Sequence, residues 1–138
     1  MTNDPSSERF EITRPVSVDD IDVMDHVNNI VYLRWVQEAA TEHWLHSASA
    51  EEQQRLAWVV VRHEIDYTYS ARRGDSVIIR TWVGTTVKNY FERHTEILRA
   101  SDQRLLAKAR TLWCPVDLRT GRPTRPGAEV VQRFSRSA

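Results

Sequence analysis

Residues 20–44 read DIDVMDHVNNIVYLRWVQEAATEHW, a polar loop that runs without a break into the longest helical pattern of the chain. At about 100° per residue, most apolar side chains of the second half fall on one side of a helical wheel. They are Tyr32, Leu33, Trp35, Val36, Ala39, Ala40 and Trp44. His43 is the one polar residue on that side. An apolar arc this broad predicts a helix that lies in the concave face of a sheet.

Two asparagines predict where this helix begins. Asn28 and Asn29 are favoured at a helix N-cap, because their side-chain oxygens accept hydrogen bonds from the unpaired amides of the first turn. The free amides and the positive end of the helix dipole then lie beside a loop that is rich in carboxylates. These are Asp19, Asp20, Asp22 and Asp25. The pattern indicates a site for a developing oxyanion, with a carboxylate that attacks the electrophile or activates water.

Five further segments have the alternating or β-branched pattern of strands. They are residues 10–16, 56–69, 76–87, 91–99 and 105–116. Residues 56–69 are too many for one flat strand, so we expect a bulge near His63 or Glu64. Short turns join the last four segments, which gives the order β-α-β-β-β-β. The predicted fold class is α+β, with a five-stranded antiparallel sheet and one long helix.

Length and composition limit the class of protein. The 138 residues fit one domain, which we assign to residues 9–138, after a disordered polar end at residues 1–8. Lys plus Arg equals Asp plus Glu at 19 each, which disfavours a nucleic-acid partner. The sequence shows no apolar leader and no long apolar run, so we do not expect a membrane partner. The single cysteine, Cys114, fits a buried core position and a reducing compartment, so we expect a cytoplasmic protein.

The loop and helix together resemble the 4-hydroxybenzoyl-CoA thioesterase family of the hotdog fold, in the branch with a His-Val-Asn-Asn signature, here residues 26–29. The resemblance covers roughly residues 10–120 and is most specific at nine positions of the quoted stretch. They are Asp20, Asp22, His26, Val27, Asn28, Asn29, Tyr32, Arg34 and Trp35. Asp25 is a departure, because the family usually has Gly there; Asp tolerates a positive φ better than most residues but adds a charge.

The resemblance implies an acyl-CoA thioesterase that hydrolyses its substrate to a free acid and CoA. It also implies that two sheets pair edge to edge in a homodimer and that two active sites lie at the subunit boundary. The sequence leaves open whether two such dimers form a homotetramer. Coenzyme A is part of the substrate, and no other cofactor is expected. A metal site is disfavoured, because the five histidines show no ligand spacing with cysteines or carboxylates.

Catalytic roles follow from the resemblance position by position. Asp22 is the nucleophile or the general base, and the sequence leaves both open. The backbone amide of Asn29 donates to the thioester carbonyl, with a plain helix cap as the alternative. His26 orients Asp22, binds substrate or protonates the leaving group, and a structural hydrogen bond is its alternative.

Four further residues are candidates for substrate binding. Lys88, in the turn after residue 87, and Arg72 and Arg73, in the turn before residue 76, would bind the phosphates of CoA, although each alone fits a surface charge. Tyr32 would line the acyl site or the core, or both.

Two other functions stay open at this point. A hydratase or dehydratase on the same fold would use a histidine with an acid, which His26 and Asp22 allow. A non-catalytic acyl-CoA binding module is the second, since a fold alone does not imply activity. The sequence does not define the acyl group, and aromatic, branched and fatty chains all fit.

Overall fold

The computed structural model describes residues 8–87 and 89–135, and its five strands form one antiparallel sheet in the order β1-β3-β4-β5-β2. The strands are β1 (Phe10–Pro15), β2 (Leu56–Tyr67), β3 (Ser76–Val87), β4 (Tyr90–Arg99) and β5 (Leu105–Asp117). The helical segments are a 3-10 turn (Val18–Asp20), α1 (Asn29–Ser47), α2 (Ala50–Arg55), α3 (Ala128–Val130) and a π-helical turn (Val131–Ser135). The predicted α+β class and the order of one strand, a long helix and four strands are confirmed.

Helix α1 begins where the asparagines predict. The Asn28 side chain accepts a hydrogen bond from the Ile30 amide at 3.2 Å, which makes Asn28 the N-cap. The predicted apolar arc is buried at its centre, with Trp35, Val36 and Ala39 fully inaccessible to solvent. Burial of this face against the sheet removes a large apolar surface from water and supplies most of the stability of the helix.

The core contains two apolar clusters, one at each end of α1. The first surrounds its N-terminal half and includes Val31, Tyr32, Trp35, Val36, Ala39, Val77, Ile79, Ile97, Leu106, Ala107 and Ala109. The second lies near its C-terminal end and consists of Ala48, Leu56, Val83, Phe91, Val130 and Phe134. Buried polar residues separate the two clusters on the central strands: Thr81 on β3, Arg93 and Thr95 on β4, and Thr111 on β5.

His43 connects α1 to this polar row, which explains why a polar residue occupies the apolar side of the wheel. Its side chain is fully buried. Its Nε2 lies 2.6 Å from Glu8 Oε1, and Arg93 Nη1 donates to its Nδ1 at 3.0 Å. These partners assign a neutral ring that accepts from Arg93 and donates to Glu8. Burial, together with the charge of Arg93, lowers the pKa of His43 to about 4.

The C-terminal segment packs on the body of the domain. Val130 and Phe134 are buried in the second cluster. Arg133 donates from Nη1 and Nη2 to Glu52 of α2 at 2.5 and 3.0 Å, and this hydrogen-bonded ion pair lowers the pKa of Glu52 to about 2. The ion pair joins the end of the chain to the connection between α1 and β2.

Strand β2 is an edge of the sheet, and within the described chain it pairs only with β5. The predicted bulge lies at Val61, between Val60 and Arg62, rather than at His63 or Glu64. The strand ends at Tyr67 rather than at residue 69, because the amides of the next two residues both donate to the Leu106 carbonyl. On the side away from β5, this long edge strand exposes a row of backbone groups that can pair with another strand.

Two predicted features, the disordered N-terminal end and the phosphate-binding Lys88, lie wholly or mainly outside the described residues. Residues 1–7 of the predicted disordered end lie outside them, whereas Glu8 is described and contacts His43 and Ser47. Lys88 also lies outside them. Within the described ranges, no helix is long and apolar enough to cross a membrane.

We expect the stability of the protein to fall as the pH is lowered from about 6.5 to about 4. An unfolded chain binds a proton at His43 near pH 6.5, whereas the folded protein does so only near pH 4. The unfolded state therefore holds more protons in this window, and acid favours unfolding by up to about 3 kcal/mol for this residue. Urea unfolding curves at about pH 7 and about pH 4.5 measure the loss.

A His43→Gln variant is the matched control for this prediction, because the amide can accept from Arg93 and donate to Glu8 without titrating in this range. Its stability should depend less on pH. An equal loss in both proteins would contradict the role of His43.

Candidate active site

The loop between β1 and α1 is closed on itself and joined to the start of the helix. Ile21 and Val27 form an antiparallel bridge, and the Asp22 amide donates to the His26 carbonyl at 2.7 Å. The Asn28 amide donates to the Asp20 carbonyl at 2.8 Å. Residues 21–27 therefore form a short hairpin whose base lies against the first turn of α1, and we call this hairpin the acidic loop.

Asp22 is held inside the acidic loop by the backbone. Its Oδ1 accepts hydrogen bonds from the amides of Met24 at 2.8 Å and His26 at 3.1 Å. No described group donates to Oδ2, and the residue is only half-buried. One carboxylate oxygen is thus fixed in place and the other is available to a ligand.

Asp20 has a different environment and a structural role. It is 3% exposed, and its Oδ2 accepts from the Ser17 amide at 3.0 Å. Its Oδ1 accepts from Arg34 Nη1 at 3.3 Å. A buried carboxylate with both oxygens bonded braces the loop, whereas Asp22 is half-buried and keeps one oxygen without a described donor.

Asp25 adopts the left-handed conformation that a glycine would allow at the same position. Its φ is +61°, and in the described chain only Asp25 and Gln103 have positive φ among the residues other than glycine. Arg73 Nη2 lies 3.4 Å from its Oδ1 and partly balances the added charge. The loop therefore keeps its shape despite the substitution, as predicted.

Asn29 is the first residue of α1, and no described group accepts a hydrogen bond from its amide. The hydroxyl of Tyr67, at the end of β2, lies 3.5 Å from its carbonyl oxygen. A free amide at the positive end of a helix of 19 residues is a suitable donor to an oxyanion.

The turn before β3 lies beside the acidic loop. His26 and Arg72 form a bridge, and the Val27 amide donates to the Ala71 carbonyl at 3.0 Å. Two predicted phosphate-binding residues, Arg72 and Arg73, are thus brought to the same place as His26. Both of their side chains are exposed to solvent.

Tyr32 fixes this turn from below. It is 2% exposed, and its hydroxyl accepts a hydrogen bond from the Ala71 amide at 2.8 Å. Burial raises the pKa of its phenol. Within one chain Tyr32 is a core residue that holds the turn against α1, and its contact with a substrate stays a prediction.

The hairpin formed by β3 and β4 is remote from the acidic loop of the same chain. Strand β3 runs over 12 residues from Ser76 to Val87, and Ser76 directly follows the turn of residues 71–75, which we call the arginine turn. At roughly 3.3 Å per residue the two ends of this strand are about 35 Å apart. A contact between this hairpin and a substrate held at Asp22 would therefore require a second chain.

An apolar cavity of about 270 Å³ lies at the other end of α1, and the sequence analysis missed it. It is lined by Ala40, Thr41, Trp44, Leu56, Ala57, Trp58, Val83, Phe91, Arg93, Trp113 and Phe134. Thr41 is 12 residues after Asn29, which is about 18 Å along the helix axis. The one sequence signal was Arg93, a charged residue at an inward position of the alternating pattern in β4.

Metal ligation finds no support in the described residues, where no three His, Cys, Asp or Glu side chains come together as a metal site requires. The prediction that the protein uses no cofactor besides the CoA of its substrate stays a prediction.

Comparisons with solved structures agree on the fold. A predicted thioesterase from Bacillus stearothermophilus aligns with a TM-score of 0.78 at 21% identity, over 92% of this chain and 94% of the other. A thioesterase from Thermus thermophilus, complexed with coenzyme A and Zn, gives 0.76 at 23% identity over 91% of each chain. A 1,4-dihydroxy-2-naphthoyl-CoA thioesterase from Synechocystis gives 0.74 at 21% identity, over 91% and 95%.

No curated protein sequence matches the chain. A family profile does: the thioesterase-like superfamily matches residues 16–134, which include the acidic loop, α1, the arginine turn and most of the sheet. The chain therefore belongs to the thioesterase-like superfamily, and the predicted hotdog fold and the predicted class of thioester hydrolase are confirmed.

Proposed function

We propose that the protein hydrolyses acyl-CoA thioesters with Asp22 as its catalytic carboxylate. The observation that carries the proposal is the acidic loop itself, which fixes Asp22 Oδ1 through two amides and is joined to the start of α1 by the hydrogen bond from the Asn28 amide to the Asp20 carbonyl. Two structurally similar proteins support CoA as part of the substrate. A Staphylococcus aureus protein and the Thermus thermophilus thioesterase are both described as complexes with CoA.

The reaction needs a group that attacks the thioester carbon and a donor that stabilises the negative oxygen. Asp22 supplies the first role, either by adding to the carbonyl carbon to form an anhydride or by removing a proton from an attacking water. The Asn29 amide and the dipole of α1 supply the second. Collapse of the tetrahedral intermediate breaks the C–S bond and expels the CoA thiolate. When water has attacked, this step yields the free acid directly. When Asp22 has attacked, it yields the anhydride, which water then hydrolyses to the free acid and the regenerated carboxylate. The backbone amide of His26 donates a hydrogen bond to Asp22 Oδ1, which supports a role for residue 26 in positioning the carboxylate.

Three finer assignments, the family branch, the cellular location and the residues that bind phosphate, are supported by particular residues. The signature of residues 26–29, together with Asp20 and Asp22, supports the 4-hydroxybenzoyl-CoA thioesterase branch. The lone cysteine supports a reducing, cytoplasmic location. Arg72 and Arg73 support binding of CoA phosphates at the acidic loop, because their side chains are exposed and cationic there.

A homodimer is part of the proposal, and its support comes from two exposed surfaces. The free edge of β2 presents Val59 and Val61 at 49% and 48% exposure. Val23, Met24 and Ile30, in and next to the acidic loop, are at least two-thirds exposed. Apolar residues clustered at an unpaired edge and around a candidate site are typical of a subunit interface.

Pairing of two β2 strands in antiparallel fashion would bring the two halves of the site together. Tyr67, at the end of β2, contacts Asn29, whereas Leu56, Ala57 and Trp58, at its start, line the apolar cavity. An antiparallel pair along the full strand sets the start of one β2 beside the end of the other. The cavity of one copy would then receive the acyl group of a thioester held at Asp22 of the other.

We expect Asp22→Asn to reduce kcat for acyl-CoA hydrolysis by at least about a thousandfold, because an amide neither adds to a thioester nor accepts a proton from water. Release of free thiol from a panel of acyl-CoA esters measures the loss. The thermal melt should not change, since the amide oxygen can still accept from Met24 and His26. Asp19→Asn, in the exposed 3-10 turn nearby, is the control and should keep full activity. Unchanged turnover in Asp22→Asn would remove the mechanism.

If the two subunits share each active site, two inactive variants should recover activity when they are combined in one dimer. Asp22→Asn has an intact cavity, and Ala57→Arg has an intact acidic loop but a blocked cavity. Each variant alone should be inactive. Subunits mixed and reassorted through mild denaturant should recover about a quarter of the wild-type activity, because half of the dimers then hold one complete site. Sedimentation should show a dimer at micromolar concentration. A mixture without activity, or a folded monomer, would refute the shared site.

We expect Lys88→Ala to raise KM for acyl-CoA by about tenfold and to leave KM for a short acyl thioester without the nucleotide unchanged. The reason is that a lysine in the hairpin after β3 would bind phosphate on the substrate of the neighbouring subunit. Lys108→Ala, an exposed lysine on β5, is the control. Equal effects on both substrates would assign Lys88 to another role.

A further inference from the structure

The apolar cavity holds a charge that the proposed mechanism does not use. Arg93 lines the cavity and is 7% exposed. Its Nη1 donates to His43 Nδ1 at 3.0 Å and to Thr81 Oγ1 at 3.1 Å. No described residue accepts a hydrogen bond from its Nε or Nη2. These two nitrogens form one edge of the guanidinium group, the edge that binds a carboxylate with two parallel hydrogen bonds.

Neither residue that holds Arg93 neutralises it. Thr81 contributes a hydroxyl, and His43 is a neutral ring. Glu8 bonds to the far side of that ring and is therefore separated from the guanidinium by it. Burial lowers the pKa of Arg93 only to about 10, so the side chain is charged at neutral pH. Buried charges in proteins are normally paired, and this one has no direct carboxylate partner among the described residues.

The depth of the cavity places this charge at its inner end. Thr41 is exposed, and the other residues near the opening, Trp44, Ala57, Trp58 and Trp113, are partly exposed. The inner wall is formed by buried residues, namely Val83, Phe91, Arg93 and Phe134. A group that entered between the partly exposed residues would therefore pass aromatic rings before it reached Arg93.

The lining offers hydrogen-bond donors and aromatic surface. The indole N–H groups of Trp58 and Trp113 are buried and have no acceptor among the described residues. The rings of Trp44 and Trp58, and of Trp58 and Phe91, are in edge contact with centroids 5.4 and 5.0 Å apart. A cavity with unpaired donors and one cation is complementary to a ligand that is flat or slender, apolar along its length and anionic at its end.

We propose that this cavity binds an acyl group that carries a carboxylate at the end remote from the thioester, and that Arg93 binds this carboxylate. The inference deepens the proposed function and rests on it, since it names the substrate class of the same enzyme. The volume of about 270 Å³ lies near the lower end of ligand pockets, roughly 300–1,000 Å³, and fits a short chain or one aromatic ring. His43 and Glu8 are positioning residues that hold the guanidinium in place.

An uncharged acyl group of the same length would leave the guanidinium desolvated without an acceptor. This penalty is the physical basis of selectivity. Adipoyl-CoA and hexanoyl-CoA are a matched pair of substrates, because they differ only in the distal carboxylate. The expected kcat/KM is about 10- to 100-fold higher for adipoyl-CoA.

Arg93→Met should reverse this preference. Methionine keeps much of the length of the side chain and removes the charge. Hexanoyl-CoA should become the better substrate. Arg110→Met is the matched control, because Arg110 is paired with Glu92 and Glu64 and does not line the cavity. It should keep the wild-type preference.

A binding measurement separates this inference from the proposed function. Three tryptophans line the cavity, so their fluorescence reports its occupation. Hexanoate should quench this fluorescence in the wild type and in Arg110→Met but not in Arg93→Met, and hexan-1-ol should bind all three weakly. A melt of Arg93→Met confirms folding, and Arg93→Gln serves as a second variant if methionine prevents it.

Each result decides one of the two claims. If hexanoate binding depends on Arg93 but no acyl-CoA is hydrolysed, the carboxylate site stands and the proposed function fails. If both thioesters are hydrolysed with equal kcat/KM by the wild type and by Arg93→Met, the proposed function stands and the inference is overturned. Hexanoate binding that does not depend on Arg93 also overturns it.

Discussion

Helix α1 determines where every part of the candidate site lies, because each part is built against a different section of its buried face. Near its start, Tyr32 accepts a hydrogen bond from the Ala71 amide and so holds the arginine turn. Near its end, His43 accepts one from Arg93 and so holds the inner wall of the cavity. The rise of about 1.5 Å per residue keeps these two regions apart. The acidic loop and the apolar cavity of one chain therefore lie at opposite ends of α1.

The core that surrounds this helix is divided by polar residues. Threonines at equivalent depth on three strands, together with Arg93 and His43, separate the cluster behind the acidic loop from the cluster behind the cavity. Their hydrogen bonds satisfy most of the buried polar atoms, as native interiors require. The exceptions among the described residues are the indole N–H groups of Trp35, Trp58 and Trp113, together with the unpaired edge of Arg93. Polar groups without partners inside a native protein need an explanation, and a functional site is one of them.

The fold was predictable because its signals are local. Alternation gives the strands, the cap residue Asn28 gives the start of α1, and Asp25 could be recognised as a residue able to adopt a positive φ. The acidic loop follows from the same short stretch. The role of His43 was not predictable, since a helical wheel reports polarity and says nothing about a partner 50 residues away. The cavity was missed because its walls come from α1, all the strands except β1, and the chain end, and their packing is not encoded in any one segment.

Phe134 gives the cavity a wall that belongs to the last turn of the chain, and Arg133 next to it anchors that turn to Glu52. None of these three residues belongs to the acidic loop. If the cavity binds the acyl group as proposed, substitutions in residues 131–135 would change which acyl group is accepted without altering the acidic loop. Substrate selectivity would then evolve independently of the catalytic residues. Related enzymes with the same acidic loop would accept different acyl groups.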